Sequence, residues 1–145
     1  MTRLLHFSII PLAVIATLAS GQTATVMRDL DALGRVTLTK DELTQLLPNA
    51  SMRRVSGAGN SQSWKNDPGG TFVVSSDNRS TNSRNSTAPG KWHISDDGRY
   101  CVLMEWKRAA TEEWCRYILK AGNDYYATKS EKIETEKVYK LEISK

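Results

Sequence analysis

Residues 99–120 read RYCVLMEWKRAATEEWCRYILK, two apolar runs separated by a short charged loop, and this stretch decides the fold. It predicts an antiparallel β-hairpin centred on Arg108, in which Cys101 lies opposite Cys115. Directly opposed residues have Cβ atoms about 4.5–5.5 Å apart, and the pairs without hydrogen bonds are the closer ones. A disulfide needs a Cβ separation of about 3.5–4.5 Å, so a pair without hydrogen bonds can be bridged at this position.

The same register places Val102 opposite Trp114 and Leu103 opposite Glu113. The chain has two cysteines, and they lie 14 positions apart. A redox-active pair is usually closer, as in a Cys-x-x-Cys motif, whereas a structural bridge persists in an oxidising compartment. We therefore predict a structural disulfide across the hairpin if the protein reaches an oxidising compartment.

The first 21 residues have the layout of a secretory signal peptide. Arg3 supplies the positive charge, Leu4–Leu18 is largely apolar, and residues 19–21 are small, which favours cleavage before Gln22. The apolar run is short for a membrane-spanning helix, which needs about 20 residues. We expect a mature chain that is periplasmic or secreted, with no stable membrane span after cleavage. An uncleaved N-terminal anchor is the alternative.

Composition indicates one domain and excludes several kinds of partner. The chain has 145 residues with a net charge of +4, and its basic residues are scattered among acidic ones. Such scatter does not form the basic stripe of a nucleic-acid-binding protein. Because His93 is the only histidine after residue 21, too few ligands remain for a zinc site. We expect no nucleic acid, metal or cofactor, and we divide the chain into a signal peptide (1–21), a lead-in segment (22–38) and a single β-rich domain (39–145).

A short helix is predicted at the start of that domain. Thr39 and Glu42 have the spacing of a capping box, in which each side chain accepts a hydrogen bond from the backbone of the other. Three leucines at positions 43, 46 and 47 form an apolar face, and Pro48 ends the helix. We expect one short N-terminal helix that packs on the sheet or closes the end of a barrel.

Short strand-like runs separated by turn sequences fill the rest of the domain. The predicted strands lie at residues 52–56, 62–65, 71–74, 91–95, 125–128 and 136–144, in addition to the central hairpin. Residues 75–89 are rich in Ser, Asn and Thr and indicate either a long mobile loop or a polar edge strand. The pattern predicts a mainly β fold, an antiparallel meander that forms a small barrel or a two-layer sandwich.

Four tryptophans stand on or beside predicted strands: Trp64, Trp92, Trp106 and Trp114. Each can bury a large apolar area, so together they are expected to form one core. The alternative is an aromatic cage for a ligand.

Three segments follow one another in a recurring order: Gly90-Lys91-Trp92, Asp97-Gly98-Arg99-Tyr100-Cys101 and Trp114-Cys115. With this Gly-x-Trp…Asp-Gly-x-x-Cys…Trp-Cys pattern, the chain resembles an uncharacterised family of small exported proteobacterial proteins, a domain of unknown function. The likeness extends over roughly residues 41–128. It implies bacterial export and a β-rich fold and brings no catalytic residues with it, because its motif consists of turn, bridge and core residues.

Two predicted loops contain the candidate ligand or partner residues: Ser56, Gly57, Arg79 and Arg84. The segment Ser56–Gly59 resembles the Ser-Gly-rich loop of periplasmic lysozyme inhibitors, small disulfide-bonded β-barrels whose loop enters the lysozyme cleft. The chain departs from those inhibitors in its cysteine count and lacks a clear second loop motif. Arg79 and Arg84 stand among hydroxyl and amide side chains, where they can hold an anion or a polar polymer or simply be solvated.

No residue pattern indicates catalysis. His93 lies on a predicted strand, and Glu112 and Glu113 are expected to solubilise the hairpin or to pair with basic residues such as Arg116 across strands. We therefore predict a protein that is not an enzyme and has no catalytic residues. The function expected is an exported small binding or interaction module of the bacterial envelope, acting on an unknown protein or a polar envelope ligand. The alternative is a lysozyme-inhibitor-like protein that uses the Ser56–Gly59 loop.

Overall fold

The structure, a computed structural model, describes residues 23–145. The predicted signal peptide and the residue that follows its cleavage site lie outside this range. In chain order the elements are a 3-10 helix (Met27–Leu33), β1 (Val36–Thr37), α1 (Lys40–Leu46), β2 (Ser51–Val55), β3 (Ser61–Lys65), β4 (Thr71–Ser76), a second 3-10 helix (Arg79–Thr81), β5 (Ser86–Ile94), β6 (Tyr100–Met104), β7 (Glu112–Ala121), β8 (Asp124–Thr128) and β9 (Val138–Ser144).

Eight of these strands close into an antiparallel barrel. Strands β2 to β9 pair in chain order, and β9 pairs back with β2, so the meander has no free edge. The ninth strand, β1, adds to the C-terminal half of β7 through Leu119 and Lys120. Of the two architectures that the sequence left open, the barrel is the one that forms.

The predicted register of the central hairpin is confirmed. Cys101 pairs with Cys115 and Val102 pairs with Trp114, and the two cysteines are joined by a disulfide. Because Val102 is buried inside the barrel, the alternation of side chains along a strand places the bridge on the outer face. The bridge therefore joins two wall strands from outside and leaves the interior to other side chains.

The expectation of a single short N-terminal helix is not confirmed in that form. The first helical element of the described chain is the 3-10 helix Met27–Leu33, within the segment predicted only as a lead-in. Asp29 Oδ2 accepts hydrogen bonds from the N–H groups of Thr25 and Val26, and Gly34 ends the helix with a φ of 66°. This helix is too short for an apolar period to be recognised in the sequence. Its stability comes from packing on the barrel, which the sequence pattern does not show.

The helix α1 is the second helical element, and its capping box forms. Glu42 N–H donates to Thr39 Oγ1 at 3.2 Å, and Thr39 N–H donates to Glu42 Oε2 at 2.7 Å. The bond from the Thr39 N–H to the Glu42 carboxylate, and a second from the Thr39 hydroxyl, lower the pKa of Glu42. No helix within residues 23–145 combines the length and the apolar character needed to cross a membrane.

Residues 75–89 are neither one long loop nor an edge strand. β4 extends to Ser76 and β5 begins at Ser86, and the loop between them contains the short 3-10 helix Arg79–Thr81. Both strands have neighbours on either side in the closed sheet.

Two apolar clusters hold the fold together. The larger cluster fills the barrel and includes Trp64, Trp92, Tyr100, Leu43 of α1 and Leu47, the residue that follows α1. The smaller cluster lies on the outer face of the barrel and joins the first 3-10 helix to β7, β8 and β9 through Met27, Leu30, Leu119, Ala121, Tyr126 and Val138. The lead-in segment is therefore packed against the barrel wall.

The helix α1 covers one end of the barrel. Lys40 Nζ lies 3.1 Å from Asp96 Oδ1 in the β5–β6 turn, and Lys145 Nζ donates to the carbonyl of Gln45 at 2.6 Å, just beyond β9. Beneath the helix, Trp64 Nε1 donates to the hydroxyl of the buried Tyr100 at 3.1 Å. The helix therefore covers this end, and these polar groups beneath and around it are paired. The β2–β3, β4–β5, β6–β7 and β8–β9 connections gather at the opposite end.

Candidate functional site

The barrel wall opens between β2 and β9 at the end opposite α1. The ladder between these two strands stops at the pair Arg53–Glu142, although β2 continues to Val55 and β9 begins at Val138. The two strands therefore part before the rim of the barrel, and this separation gives access to the interior.

A cavity of about 190 Å³ lies at this opening. It is lined by residues of four wall strands and of the β2–β3 turn: Arg54, Val55 and Gly57, Trp114 and Arg116, Ala127, and Tyr139, Lys140 and Leu141. A cavity of about 150 Å³ is enough to hold a benzene molecule in a protein core. The space is therefore suited to a ligand of about one ring or a short acyl chain.

Arg54 is held in place by a polar network on the inner face of the barrel. Its Nε donates to Gln62 Oε1 at 2.9 Å, and its Nη2 is paired with the carboxylate of Glu112. Gln62 Nε2 also donates to Glu112 Oε1 at 2.9 Å, and Trp106 Nε1 donates to the same oxygen at 3.1 Å. Three donors thus bind the Glu112 carboxylate. Its negative charge offsets the positive charge of Arg54.

Arg116 has no such counterion. Its Nη1 donates to the carbonyl of Cys115 at 3.0 Å, and no carboxylate oxygen in residues 23–145 comes within 4.0 Å of its guanidinium. Burial lowers the pKa of the half-buried Arg116, and the positive charges of Arg54 and Arg99 lower it further, whereas Tyr139 and the more distant carboxylate of Glu136 raise it. A guanidinium nevertheless stays protonated in a protein, so a lasting positive charge faces the cavity.

Both arginines lie near the ring of Trp114. The Cζ atom of Arg54 is 5.1 Å from its ring centroid and that of Arg116 is 5.9 Å away, both within reach of a cation–π contact. The edge-to-face contact with Tyr100, at 5.7 Å between centroids, holds the indole from the core side. Its Nε1 is buried and has no hydrogen-bond partner in the described chain.

The Ser56–Gly59 loop is a compact turn. Ser56 N–H donates to the carbonyl of Asn60 at 2.8 Å, and Gly59 N–H donates to the carbonyl of Ser56 at 2.9 Å. Asn60 N–H donates to Ser56 Oγ at 3.2 Å, so the polar groups of the turn bond mainly to one another. Gly57 is the one residue of the predicted loop set that reaches the cavity.

Arg79 and Arg84 lie in the exposed β4–β5 loop, outside the cavity lining. Arg79 pairs with Asp77 at 3.2 Å, and the backbone carbonyl of Arg84 accepts from the amide of Asn78. Ser80 N–H donates to the side chain of Asn60, so this loop and the β2–β3 turn touch each other. A ligand role for the two arginines stays a prediction.

Sequence reasoning missed Arg54, Trp114 and Arg116 as a group. The available signal was their parity, because Met52 and Ile118 are buried and the alternation along β2 and β7 turns both arginines inward. Arg116 was one of the basic residues named as possible cross-strand partners of the hairpin glutamates, the alternative being that the glutamates solubilise the hairpin; its strand partner is Tyr100.

The candidate catalytic histidine lies away from the cavity, and the described chain contains no cluster of metal ligands. His93 is exposed on β5 opposite Cys101, on the outer wall. Among residues 23–145 there is no cluster of three His, Cys, Asp or Glu side chains that could hold a metal ion.

Comparisons with known proteins identify a family and no function. A search of curated proteins found no match, and a search of solved structures found none. One family model, described as "Protein of unknown function (DUF995)", matches residues 13–129. The matched range contains β1 to β8 and ends before β9, the strand that closes the barrel. Because the match covers well over half of the sequence, the chain belongs to this uncharacterised DUF995 family, in agreement with the resemblance drawn from its motifs.

Proposed function

We propose that the protein is an exported binding module of the bacterial envelope, which holds a small ligand in the cavity between β2 and β9. One observation carries the proposal: β2 and β9 separate before the rim of the barrel, and a cavity with apolar and polar walls lies at this separation. Ala127, Leu141 and the indole of Trp114 supply apolar surface, whereas Arg116 supplies a charged guanidinium. Ligand sites typically combine an apolar lining with a few convergent polar groups, and eight-stranded barrels can hold one small ligand.

The location in the envelope is part of the proposal. The disulfide between Cys101 and Cys115 supports it, because such bonds persist in oxidising compartments and are rare in the cytosol. The signal-peptide layout of residues 1–21 supports it as well.

Binding is proposed in preference to catalysis because the cavity offers donors and no free base. The carboxylate of Glu112, the acidic group of the Arg54 network, already accepts bonds from three side chains. His93 lies outside the cavity lining. A general base must reach the proton that it abstracts, and neither group is placed to do so.

The alternative, a lysozyme-inhibitor-like protein, finds less support in the geometry. A loop that enters an enzyme cleft must present free polar groups, whereas Ser56 uses its N–H, carbonyl and hydroxyl within its own turn. We therefore base the proposed function on the cavity.

Filling the cavity tests the proposal. Ala127→Leu adds a branched side chain to the cavity wall, and Ala32→Leu makes the same change at an exposed position of the first 3-10 helix. We expect one-ring fragments, detected by saturation-transfer NMR on the oxidised protein, to bind the parent and Ala32→Leu but not Ala127→Leu. Matched melting curves establish that both variants fold. Two outcomes would refute the cavity as the site: fragments that still bind Ala127→Leu, or a parent protein that binds no fragment.

A further inference from the structure

The charges around the cavity do not balance. Arg54 is neutralised by Glu112, and Lys140 lies 3.3 Å from Asp124 on the outside of the barrel. Arg116 is left as the cavity-lining cation without an acidic partner in the described chain. A partly buried charge is unfavourable unless a counterion or hydrogen bonds compensate it. No carboxylate of residues 23–145 therefore forms an ion pair with Arg116, and Glu136 acts on its charge only from beyond 4.0 Å.

Hydrogen-bond donors are in excess at the same place. Arg116 has five N–H donors, and within residues 23–145 its guanidinium makes one bond, from Nη1 to the carbonyl of Cys115. Trp114 Nε1 also lacks an acceptor, but it has almost no accessible surface, so Arg116 is the donor that the cavity exposes. A guanidinium has the planar fork that matches a carboxylate in a bidentate arrangement, so the group that satisfies this site is an anionic acceptor.

The shape and the apolar side of the cavity limit the rest of the ligand. Val55, Ala127 and Leu141 present hydrocarbon to the space, and an inorganic anion would leave that surface uncovered. The volume of about 190 Å³ admits a body near the size of one ring and excludes a polymer chain.

From these observations we infer that the cavity binds a small organic anion, whose carboxylate pairs with Arg116 and whose apolar body lies against Ala127 and Leu141. The inference rests on the proposed function and specifies its ligand class. Arg54 adds positive potential and contacts Trp114, but its own hydrogen bonds to Gln62 and Glu112 are already made. Arg116 is therefore the residue that binds the carboxylate of the ligand.

The test compares three probes on four proteins. Benzoate carries the expected charge and body, benzamide has the same body without the charge, and inorganic phosphate has charge without the body. The proteins are the parent, Arg116→Gln, Ala127→Leu and Arg53→Gln, the last a control on the exposed outer face of β2. Dissociation constants come from titration calorimetry at low ionic strength, because salt screens such pairs.

We expect benzoate to bind the parent about tenfold or more tightly than benzamide, the order of a charge-assisted bidentate pair. Arg116→Gln should remove that preference, Ala127→Leu should weaken both aromatic probes, and Arg53→Gln should change neither. Equal affinities of the parent for benzoate and benzamide, or an unchanged benzoate affinity in Arg116→Gln, overturn the inference. Phosphate that binds as tightly as benzoate also overturns it, since the apolar body would then contribute nothing.

Two outcomes separate this inference from the proposed function. If Ala127→Leu weakens both aromatic probes while Arg116→Gln changes neither, the cavity is a binding site and the anion inference is wrong. If no probe responds to Ala127→Leu, both are wrong. Should Arg116→Gln fail to fold, NMR of the parent decides, because benzoate must shift the indole N–H of Trp114, assigned by its loss in Trp114→Phe. Shifts confined to other residues reject the site.

Discussion

Gly90→Ala is a sharp test of how the barrel core is packed. Gly90 lies on β5 directly opposite Phe72 of β4, and its φ is not in the positive region that favours glycine. A Cβ atom at this position would lie 2.1 Å from Cε2 and 2.3 Å from Cζ of Phe72. The ring is 5% exposed and packs against Trp64 at 5.6 Å between centroids, so it has little room to move away.

Two opposing effects set the magnitude. Alanine normally stabilises a strand interior relative to glycine by about 0.5–1 kcal/mol, because it loses less backbone entropy on folding. Overpacking a well-packed core costs about 1–3 kcal/mol. Since the added carbon would overlap a buried ring, the clash prevails, and we expect Gly90→Ala to lower the free energy of unfolding by about 1–2 kcal/mol.

A double-mutant cycle measured by urea denaturation checks the cause. Phe72→Leu removes the ring, so in that background Gly90→Ala should become nearly neutral or stabilising, with a coupling energy of about 1 kcal/mol or more. Gly57→Ala serves as a matched control, because a Cβ there meets no atom within 4 Å and should change stability little. The reasoning fails if Gly90→Ala costs the same with and without the Phe72 ring.

Three further perturbations probe the bridge, the closed end and the helix cap. Cys101→Ser should lower the free energy of unfolding by about 2–4 kcal/mol, because the disulfide closes a loop of about 15 residues in the unfolded chain; equal melting temperatures under oxidising conditions would contradict this. Tyr100→Phe removes a buried hydroxyl that accepts from Trp64 and should cost about 1–3 kcal/mol at neutral pH. Burial raises the pKa of Tyr100, so the folded state retains the proton at a pH where the unfolded chain loses it. The parent should therefore lose stability as the pH rises above the ordinary pKa of tyrosine. Urea titrations should show a smaller loss in Tyr100→Phe. Thr39→Ala should cost about 1 kcal/mol at neutral pH; because the bonds from Thr39 lower the pKa of Glu42, that cost should shrink in acid, and a cost independent of pH would argue against the capping box.

Local signals made the hairpins predictable. The pairing of Cys101 with Cys115 follows from the spacing about Arg108, and a turn such as Asp96–Gly98 ends one strand and begins the next. These features depend on residues that are close in sequence. Closure of the barrel depends instead on the ladder between β2 and β9, whose members are about 90 residues apart, and no local pattern distinguishes it from a sandwich.

The first 3-10 helix escaped prediction for a similar reason. Its sequence has no long apolar period, and its buried side chains, Met27 and Leu30, pack against Leu119 and Val138 on the outer wall. Only the folded barrel creates the surface that they cover. The carboxylate of Asp29, which bonds to backbone N–H groups at the start of the helix, was the one local sign.

The candidate site was hidden because its members come from different strands. Arg54 and Arg116 are 62 positions apart, and the sequence alone gives no reason to bring them to the same indole. The alternation of side chains along a strand would place each arginine on the inward, apolar face of the barrel. A charge in such a position is unfavourable unless it has a partner. An inward-pointing arginine on a predicted barrel strand is thus the signal that sequence reasoning can use.

The polar side chains beneath α1 and those at the cavity differ in a way that separates scaffold from site. Beneath α1, Tyr100 donates to Asn66, Trp64 donates to Tyr100, and the amide of Asn66 donates to the carbonyl of Leu47, so each of these three side chains has a partner. At the cavity, Arg116, the strand partner of Tyr100, keeps unused donors within the described chain. Apolar side chains would fill this space at lower cost if stability were the only requirement, because partly buried charge and unpaired donors are unfavourable. The contrast explains why the binding proposal rests on the cavity, and why it requires an acceptor for Arg116 that residues 23–145 do not supply there.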